Sequence, residues 1–209
     1  MEHLEILYDH YKETFELSKG EQEKRNKCFV IVCLIEALSF LMFIQPDTAS
    51  DILLSIINSN TENPLLMGSS ILQTLLWILV LYTLIRYCQH NTYIERQYSY
   101  IERLESEISN QFNDFKFDRE SGNYLNDYPF FLDLIHIFYT WFAPILFLVI
   151  NTVRITKEWQ IRKCCLSVIC DSIIFIAIVI VTLAYMVAIH PRLKRLFTKE
   201  NKKEENETG

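Results

Sequence analysis

From Leu65 to Tyr87 the chain reads LLMGSSILQTLLWILVLYTLIRY, with no charged side chain before Arg86. About 20 apolar residues in a helix cross a bilayer core of about 30 Å, so this stretch predicts a membrane span at 65–88. Apolar residues then continue to recur at helical spacing, at Ile94, Tyr98, Ile101, Leu104, Ile108 and Phe112. Because no Gly or Pro lies between Gln89 and Gly122, we predict one helix that leaves the membrane and continues as an amphipathic helix.

The N-terminal segment 1–27 predicts a second amphipathic helix. Its apolar stripe comprises Leu4, Leu7, Tyr11, Phe15 and Ser18, and its other faces are mostly acidic. Helices that lie on a membrane surface usually carry many Lys or Arg residues, so a membrane-surface role fits this segment poorly. We therefore expect its stripe to pack against the stripe of 94–112.

Three further apolar segments, 28–45, 129–153 and 164–189, complete four predicted spans. Pro46 should end the first of them, and Pro144 should kink the third. The sequence thus predicts an all-α membrane protein with four transmembrane helices and an amphipathic helical cytoplasmic region. The expected parts are an N-terminal helix at 1–27, a transmembrane hairpin at 28–88, a cytoplasmic helix and loop at 89–128, a second transmembrane pair at 129–190, and a charged, disordered tail at 191–209.

Composition agrees with long helices, because the 209 residues include only 4 Gly and 5 Pro. The net charge of −6 gives no general reason to bind nucleic acid. The six cysteines form no C-x-x-C pair, which argues against zinc and thioredoxin-like sites.

Most Lys and Arg residues fall in the predicted loops that share a side with both termini, so the positive-inside rule places both termini in the cytoplasm.

Motifs for catalysis are absent from the sequence: it contains no G-x-G-x-x-G, phosphate loop, H-E-x-x-H or nucleophile elbow. Asp133 and His136 share one helix face and could serve acid–base chemistry or bind a metal, but two ligands do not make a metal site. We therefore predict no catalytic residue, metal or cofactor, and no enzymatic activity.

Polar residues inside the predicted spans are more informative: Glu36, Gln73, Asp133, His136 and Asp171. A charge at the bilayer centre costs at least about 2.5 kcal/mol, so such groups usually face a bundle interior or a wet cavity. Glu36 lies mid-span, and we expect no Lys or Arg deep enough to pair with it. It is either a protonated carboxyl bonded to Gln73, Ser39 or a backbone carbonyl, or one of a ring of carboxylates around a pore built by several protomers.

A family resemblance covers about half of the chain, from residue 8 to residue 110. The segment YDHYKETFELSKGEQEKRNK, the first two spans and the segment RYCQHNTYIERQYSYIERLESEIS resemble the bacterial SLATT arrangement. The two additional segments after Pro129 depart from its two-span form and are similar to those expected of the membrane effector of a Hailong-type system, which is paired with a nucleotidyltransferase. The resemblance implies a pore-forming effector of anti-phage defence in the bacterial inner membrane, gated by a nucleotide or oligonucleotide.

The resulting hypothesis is a homo-oligomeric ion channel that depolarises the cell in abortive infection. The number of copies that we expect is four. An anionic ligand would need basic residues, and the candidates are Arg96, Arg103, Lys116 and Arg119. Two other classes stay open. One is a proton-coupled carrier using Glu36, Asp133 and His136 as a relay. The other is a non-conducting adaptor that docks a soluble enzyme.

Overall fold

The structure is a computed structural model that describes residues 2–59, 68–111, 130–162 and 165–189. These residues form helices and no strand. The helices are α1 (Glu2–Ile44), α2 (Pro46–Asn58), α3 (Ser69–Asn110), α4 (Phe130–Ile137), α5 (Ala143–Arg162) and α6 (Leu166–Ile189). A π-helical turn, Phe138–Phe142, lies between α4 and α5.

Four helical stretches are long and apolar enough to cross a membrane: Leu4–Ile44, Ser69–Asn110, Leu134–Arg162 and Leu166–Ile189. Large apolar side chains on them point outward, which suits contact with lipid; examples are Leu34, Ile71, Ile145, Ile173 and Leu183. The prediction of an all-α membrane protein with four such helices is confirmed. The predicted tail, 191–209, and most of the predicted loop after Asn110 lie outside the described residues.

Helix boundaries follow the sequence signals at two places. The helix predicted at 1–27 and the span at 28–45 are one continuous helix, and Gly20 does not interrupt it. As expected, α1 ends just before Pro46, which occupies the first turn of α2, a position where its missing N–H costs nothing. The predicted continuity across the end of the second span is also confirmed, because α3 runs unbroken from Ser69 to Asn110.

The third segment differs from its predicted bounds. The sequence predicts that the segment ends at residue 153, but α5 continues through Arg162. The π-helical turn precedes Pro144, which cannot donate the usual backbone hydrogen bond to the carbonyl of Thr140. The hydroxyl of Tyr185 donates to that carbonyl instead, at 3.4 Å. The proline thus alters the hydrogen bonding of the segment while the helix continues on both sides.

The chain divides into two compact units. The first comprises the described residues within 1–26, 88–144 and 184–209, and the second those within 27–87 and 145–183. The core of the first unit is a cluster of Leu7, Tyr11, Ile101, Leu104 and Ile108, with Leu4 and Phe15 packed against it. In the second unit α2 contributes Ala49 and Leu53 to a cluster with Met42, Leu72 and Leu76.

The core of the first unit confirms that the stripe of the N-terminal segment packs on the stripe after the second span. The two helical segments run antiparallel, since Glu21 pairs with His90 whereas Leu7 clusters with Ile108. Tyr98 departs from the predicted stripe because it is 38% exposed. Its hydroxyl accepts a hydrogen bond from Gln22 Nε2 at 2.9 Å, so this amphipathic side chain keeps its polar end at the surface.

Candidate functional site

A buried polar cluster lies within the second unit, and Arg154 is at its centre. We call it the Arg154 cluster; its members are Glu36, Gln73, Asn151, Arg154, Glu158 and Asp171. Arg154 is 0% exposed, and its guanidinium carbon lies 4.0 Å from the centre of the Trp77 ring. A desolvated cation over an indole face is attracted by the quadrupole of the ring, so Trp77 helps to hold this charge.

Two carboxyl groups flank the guanidinium. Arg154 Nε lies 3.6 Å from Glu158 Oε1, one helical turn along α5, and Nη1 lies 3.9 Å from Glu36 Oε2 on α1. Nη2 donates to the backbone carbonyl of Gln73 at 3.3 Å. Both ion-pair distances exceed hydrogen-bond length, so Arg154 stabilises the two acids mainly by charge.

Neutral side chains donate hydrogen bonds to one oxygen of each acid. Asn151 Nδ2 donates to Glu36 Oε1 at 2.6 Å. Gln73 Nε2 and Trp77 Nε1 donate to Glu158 Oε1, at 2.8 Å and 2.7 Å. These contacts connect α1, α3 and α5, so the cluster links three membrane helices through polar side chains.

Asp171 on α6 is also fully buried, at 0% exposure. Its Oδ2 accepts a hydrogen bond from Ser167 Oγ at 3.5 Å, and Ser167 Oγ lies 3.4 Å from Thr74 Oγ1 on α3. Glu158 and Thr74 are themselves within hydrogen-bonding reach of the Asp171 carboxyl. Asp171 therefore belongs to the cluster through its contacts with both α3 and α5.

The expectation that no basic residue lies deep enough to pair with Glu36 is wrong. The prediction assigned Arg154 to a loop because it ended the third span at residue 153. Phe147, Asn151, Arg154 and Glu158 follow i, i+4, i+7 and i+11 spacing, which puts them on one helix face. A base and an acid four residues apart can balance each other inside a helix, and that spacing is the signal that sequence reasoning missed.

The partners suggested for Glu36 also differ from those observed. Gln73 donates to Glu158, and Ser39 Oγ donates to the carbonyl of Ile35 in its own helix. Glu36 is 3% exposed and faces the interior of the second unit. Its carboxyl contacts Asn151 and Arg154, both on α5.

His136, another predicted residue, belongs to the first unit, where its Nε2 lies 2.9 Å from Glu95 Oε1. Burial raises the pKa of the Glu95 carboxyl above its ordinary value of 4.5, although the positive charges of His136 and Arg25 oppose that rise. The side chain of Asp133 lies outside the described residues, so its suggested pairing with His136 stays a prediction. Arg25 also stacks on Tyr139, with its guanidinium carbon 4.1 Å from the ring centre.

A second acid–imidazole contact lies nearby in the same unit, where His90 Nδ1 meets Glu21 Oε2. Lys24 Nζ donates to Glu21 Oε1 at 2.8 Å. Burial disfavours the charged form of Glu21, but the hydrogen bonds with Lys24 and His90 outweigh it, and the pKa of the carboxyl falls below its ordinary value of 4.5. Glu21 therefore joins α1 to α3 as a charged group.

The basic ligand candidates are only partly placed. Arg96 and Arg103 are exposed on α3, seven residues apart, which is about two turns and about 10 Å along one helix face. Lys116 and Arg119 lie outside the described residues. Across the described ranges, no three His, Cys, Asp or Glu side chains are grouped to hold a metal ion.

No family model, no curated protein and no solved structure matches this chain.

Proposed function

We propose that the chain is an ion channel of the bacterial inner membrane, assembled from several copies and acting in anti-phage defence by depolarising the cell. The observation that carries the proposal is the Arg154 cluster, which places three carboxyl groups and a guanidinium among apolar helices. A hydrophobic bundle gains little stability from such groups, since replacing a buried ion pair by packed apolar side chains is often neutral or stabilising. Intramembrane charges typically mark ion paths, and that is the role proposed for them here.

The arrangement of charge supports a closed state. Arg154 stands between Glu36 and Glu158, and a fixed positive charge at that point opposes the entry of a cation. Conduction then requires Arg154 to move away from Glu36, which would leave acidic and amide oxygens along the path. Rings of carboxylates and carbonyl oxygens of this kind select cations in known pores.

Gating by a nucleotide or oligonucleotide is the second part of the proposal, and it rests on the resemblance and on the exposed bases of α3. Arg96 and Arg103 lie on the same helix, Ser69–Asn110, that supplies Gln73 and Trp77 to the Arg154 cluster. A ligand shifts the gate only through different affinities for the open and closed states, so its binding must alter the position of α3.

Conductance of the purified protein in planar bilayers tests the channel. Wild type is compared with Glu36→Gln and Glu36→Ala, and with Glu13→Gln as the matched control, because Glu13 is an exposed acid in the first unit. We expect discrete single-channel steps whose size or cation preference changes at position 36 and is unchanged at position 13. A folded oligomer without conductance, with or without added nucleotides, contradicts the proposal and favours the adaptor.

The gating claim has its own experiment. Replacing Arg103 and Lys116 together by Ala should weaken the effect of a nucleotide on conductance, whereas Lys12→Ala, at an exposed base of α1, should not. An unchanged dose response in the double variant rejects these residues as the ligand site while leaving the channel itself standing.

One observation favours a proton-coupled carrier as the second candidate: the Arg154 cluster is enclosed within a single chain, and acids outnumber bases among its six members. A carrier binds its ions inside each protomer and does not need a central pore. Liposome uptake that saturates with substrate and follows a pH gradient would favour this function, whereas single-channel steps argue against it.

A further inference from the structure

The negative charges in and around the Arg154 cluster outnumber the positive charges when every group is ionised. Its carboxyl groups belong to Glu36 on α1, Glu158 on α5 and Asp171 on α6, and all three are buried. Two guanidinium groups face them, that of Arg154 and that of Arg162, whose charge reaches Asp171. With every group ionised, one negative charge remains among apolar helices, and a buried unpaired charge is strongly unfavourable.

The hydrogen bonds show where this imbalance lies. Glu158 uses Oε1 to accept from Gln73 and Trp77, but its buried Oε2 has no hydrogen-bond donor among the described residues. Asp171 accepts from Ser167 at Oδ2, and its buried Oδ1 likewise lacks a donor within the described ranges. These two carboxyl groups lie within hydrogen-bonding reach of each other. Two ionised carboxylates at that separation would repel each other with little solvent screening.

We propose that Glu158 and Asp171 share one proton and form an intramembrane carboxyl–carboxylate pair. One proton neutralises the excess charge, supplies the missing donor and replaces a repulsion by a charged hydrogen bond, which is among the stronger kinds in proteins. The proton belongs to the pair as a unit, because two coupled acids titrate together. The charges and hydrogen bonds that indicate the shared proton do not depend on conduction, so the pair stands or falls separately from the channel.

A proton accounts for these observations better than a metal ion. A metal would require several acidic or imidazole ligands around one point, and the described part of the chain contains no group of three such side chains. Besides Glu158 and the two guanidinium groups, the hydroxyl groups of Thr74 and Ser167 lie near Asp171. Hydroxyl groups can donate to the charged partner of the pair and so stabilise the shared proton.

Infrared spectroscopy of the purified full-length protein tests the pair, because a protonated carboxyl has a carbonyl stretch that an ionised one lacks. At neutral pH, wild type should show this band, and alkaline titration should remove it in a single step. Asp171→Asn and Glu158→Gln should each lose the intensity of one carboxyl, because the remaining acid then ionises beside the guanidinium groups. Asp51→Asn, at an exposed acid of α2, should keep the band.

Several results would overturn the proposal. One is a band that survives in both Asp171→Asn and Glu158→Gln, and another is a band that disappears in Glu36→Gln instead. A third is a wild type without the band whose melting temperature rises with sodium or potassium, since a cation would then balance the charge. The spectrum of wild type needs no variant, so absence of the band at neutral pH overturns the proposal even if the substituted proteins fail to fold.

Discussion

Replacing Arg154 by Met is the most informative single perturbation of this protein. Methionine has a similar length and no charge, so it fills much of the space while removing the guanidinium from between Glu36 and Glu158. It also removes the cation from the face of Trp77 and the donor to the carbonyl of Gln73. The two acids stay buried without their shared counter-charge.

The magnitude follows from that loss. Removing one partner of a buried ion pair typically costs about 3–5 kcal/mol, because the other charge is left uncompensated in a medium of low dielectric. Arg154 is 0% exposed and Glu36 is 3% exposed, so solvent screens the pair little. We therefore expect Arg154→Met to lower the free energy of unfolding by about 3–5 kcal/mol.

The assay is equilibrium unfolding in mixed detergent micelles, followed by tryptophan fluorescence. Lys157→Met is the matched control, because Lys157 is an exposed base on the same helix and its loss should change stability by less than about 0.5 kcal/mol. Combining Arg154→Met with Glu158→Gln should recover part of the loss, with a coupling of about 0.5–3 kcal/mol. If Arg154→Met were no more destabilising than Lys157→Met, the Arg154 cluster would not be a buried charge network.

Three further predictions concern the first unit. Leu104→Ala should lower the free energy of unfolding by about 2–5 kcal/mol, because it leaves a cavity in the core of the first unit. Leu17→Ala, at a residue that is 51% exposed, should lower it far less. Equal losses of stability in the two variants would contradict the packing described. Gly20→Ala should stabilise the protein by about 0.5–1 kcal/mol, because a Cβ there meets nothing within 4 Å, and a lower melting temperature would contradict this. The lowered pKa of Glu21 contributes stability that is present above pH 4.5 and is lost as pH falls through the lower folded-state value. The melting temperature of Glu21→Gln should therefore depend less on pH than that of wild type between about pH 5 and about pH 3. Parallel curves of melting temperature against pH would contradict this prediction.

Much of the fold could be predicted from the order of residues, since long apolar stretches and helical periodicity are local signals. The predicted stripe residues Leu7, Tyr11 and Ser18 are buried, and so are Ile101 and Leu104 on the facing helix. Tyr98 shows the limit of periodicity, because a tyrosine at the edge of a stripe can pack its ring and still keep its hydroxyl in water.

The candidate site could be predicted only in part. Glu36, Gln73 and Asp171 were identified as polar residues inside apolar segments, and the structure brings all three into the Arg154 cluster. Arg154 and Glu158 were missed because hydropathy alone ends a span at the first charged residues. A base and an acid on one helix face reduce each other's cost, so the helix continues past them.

The all-α class and the four helices able to cross a membrane follow from the order of residues alone, because the length and polarity of a segment decide whether it suits a bilayer. Which polar groups meet depends on the packing of the helices in three dimensions. Glu36 and Asn151 are 115 residues apart, and Gln73 and Glu158 are 85 residues apart, yet each pair is joined by a hydrogen bond. Such partners depend on how helices rotate and pack against one another, and a buried charge is strongly destabilising where that packing supplies no counter-charge.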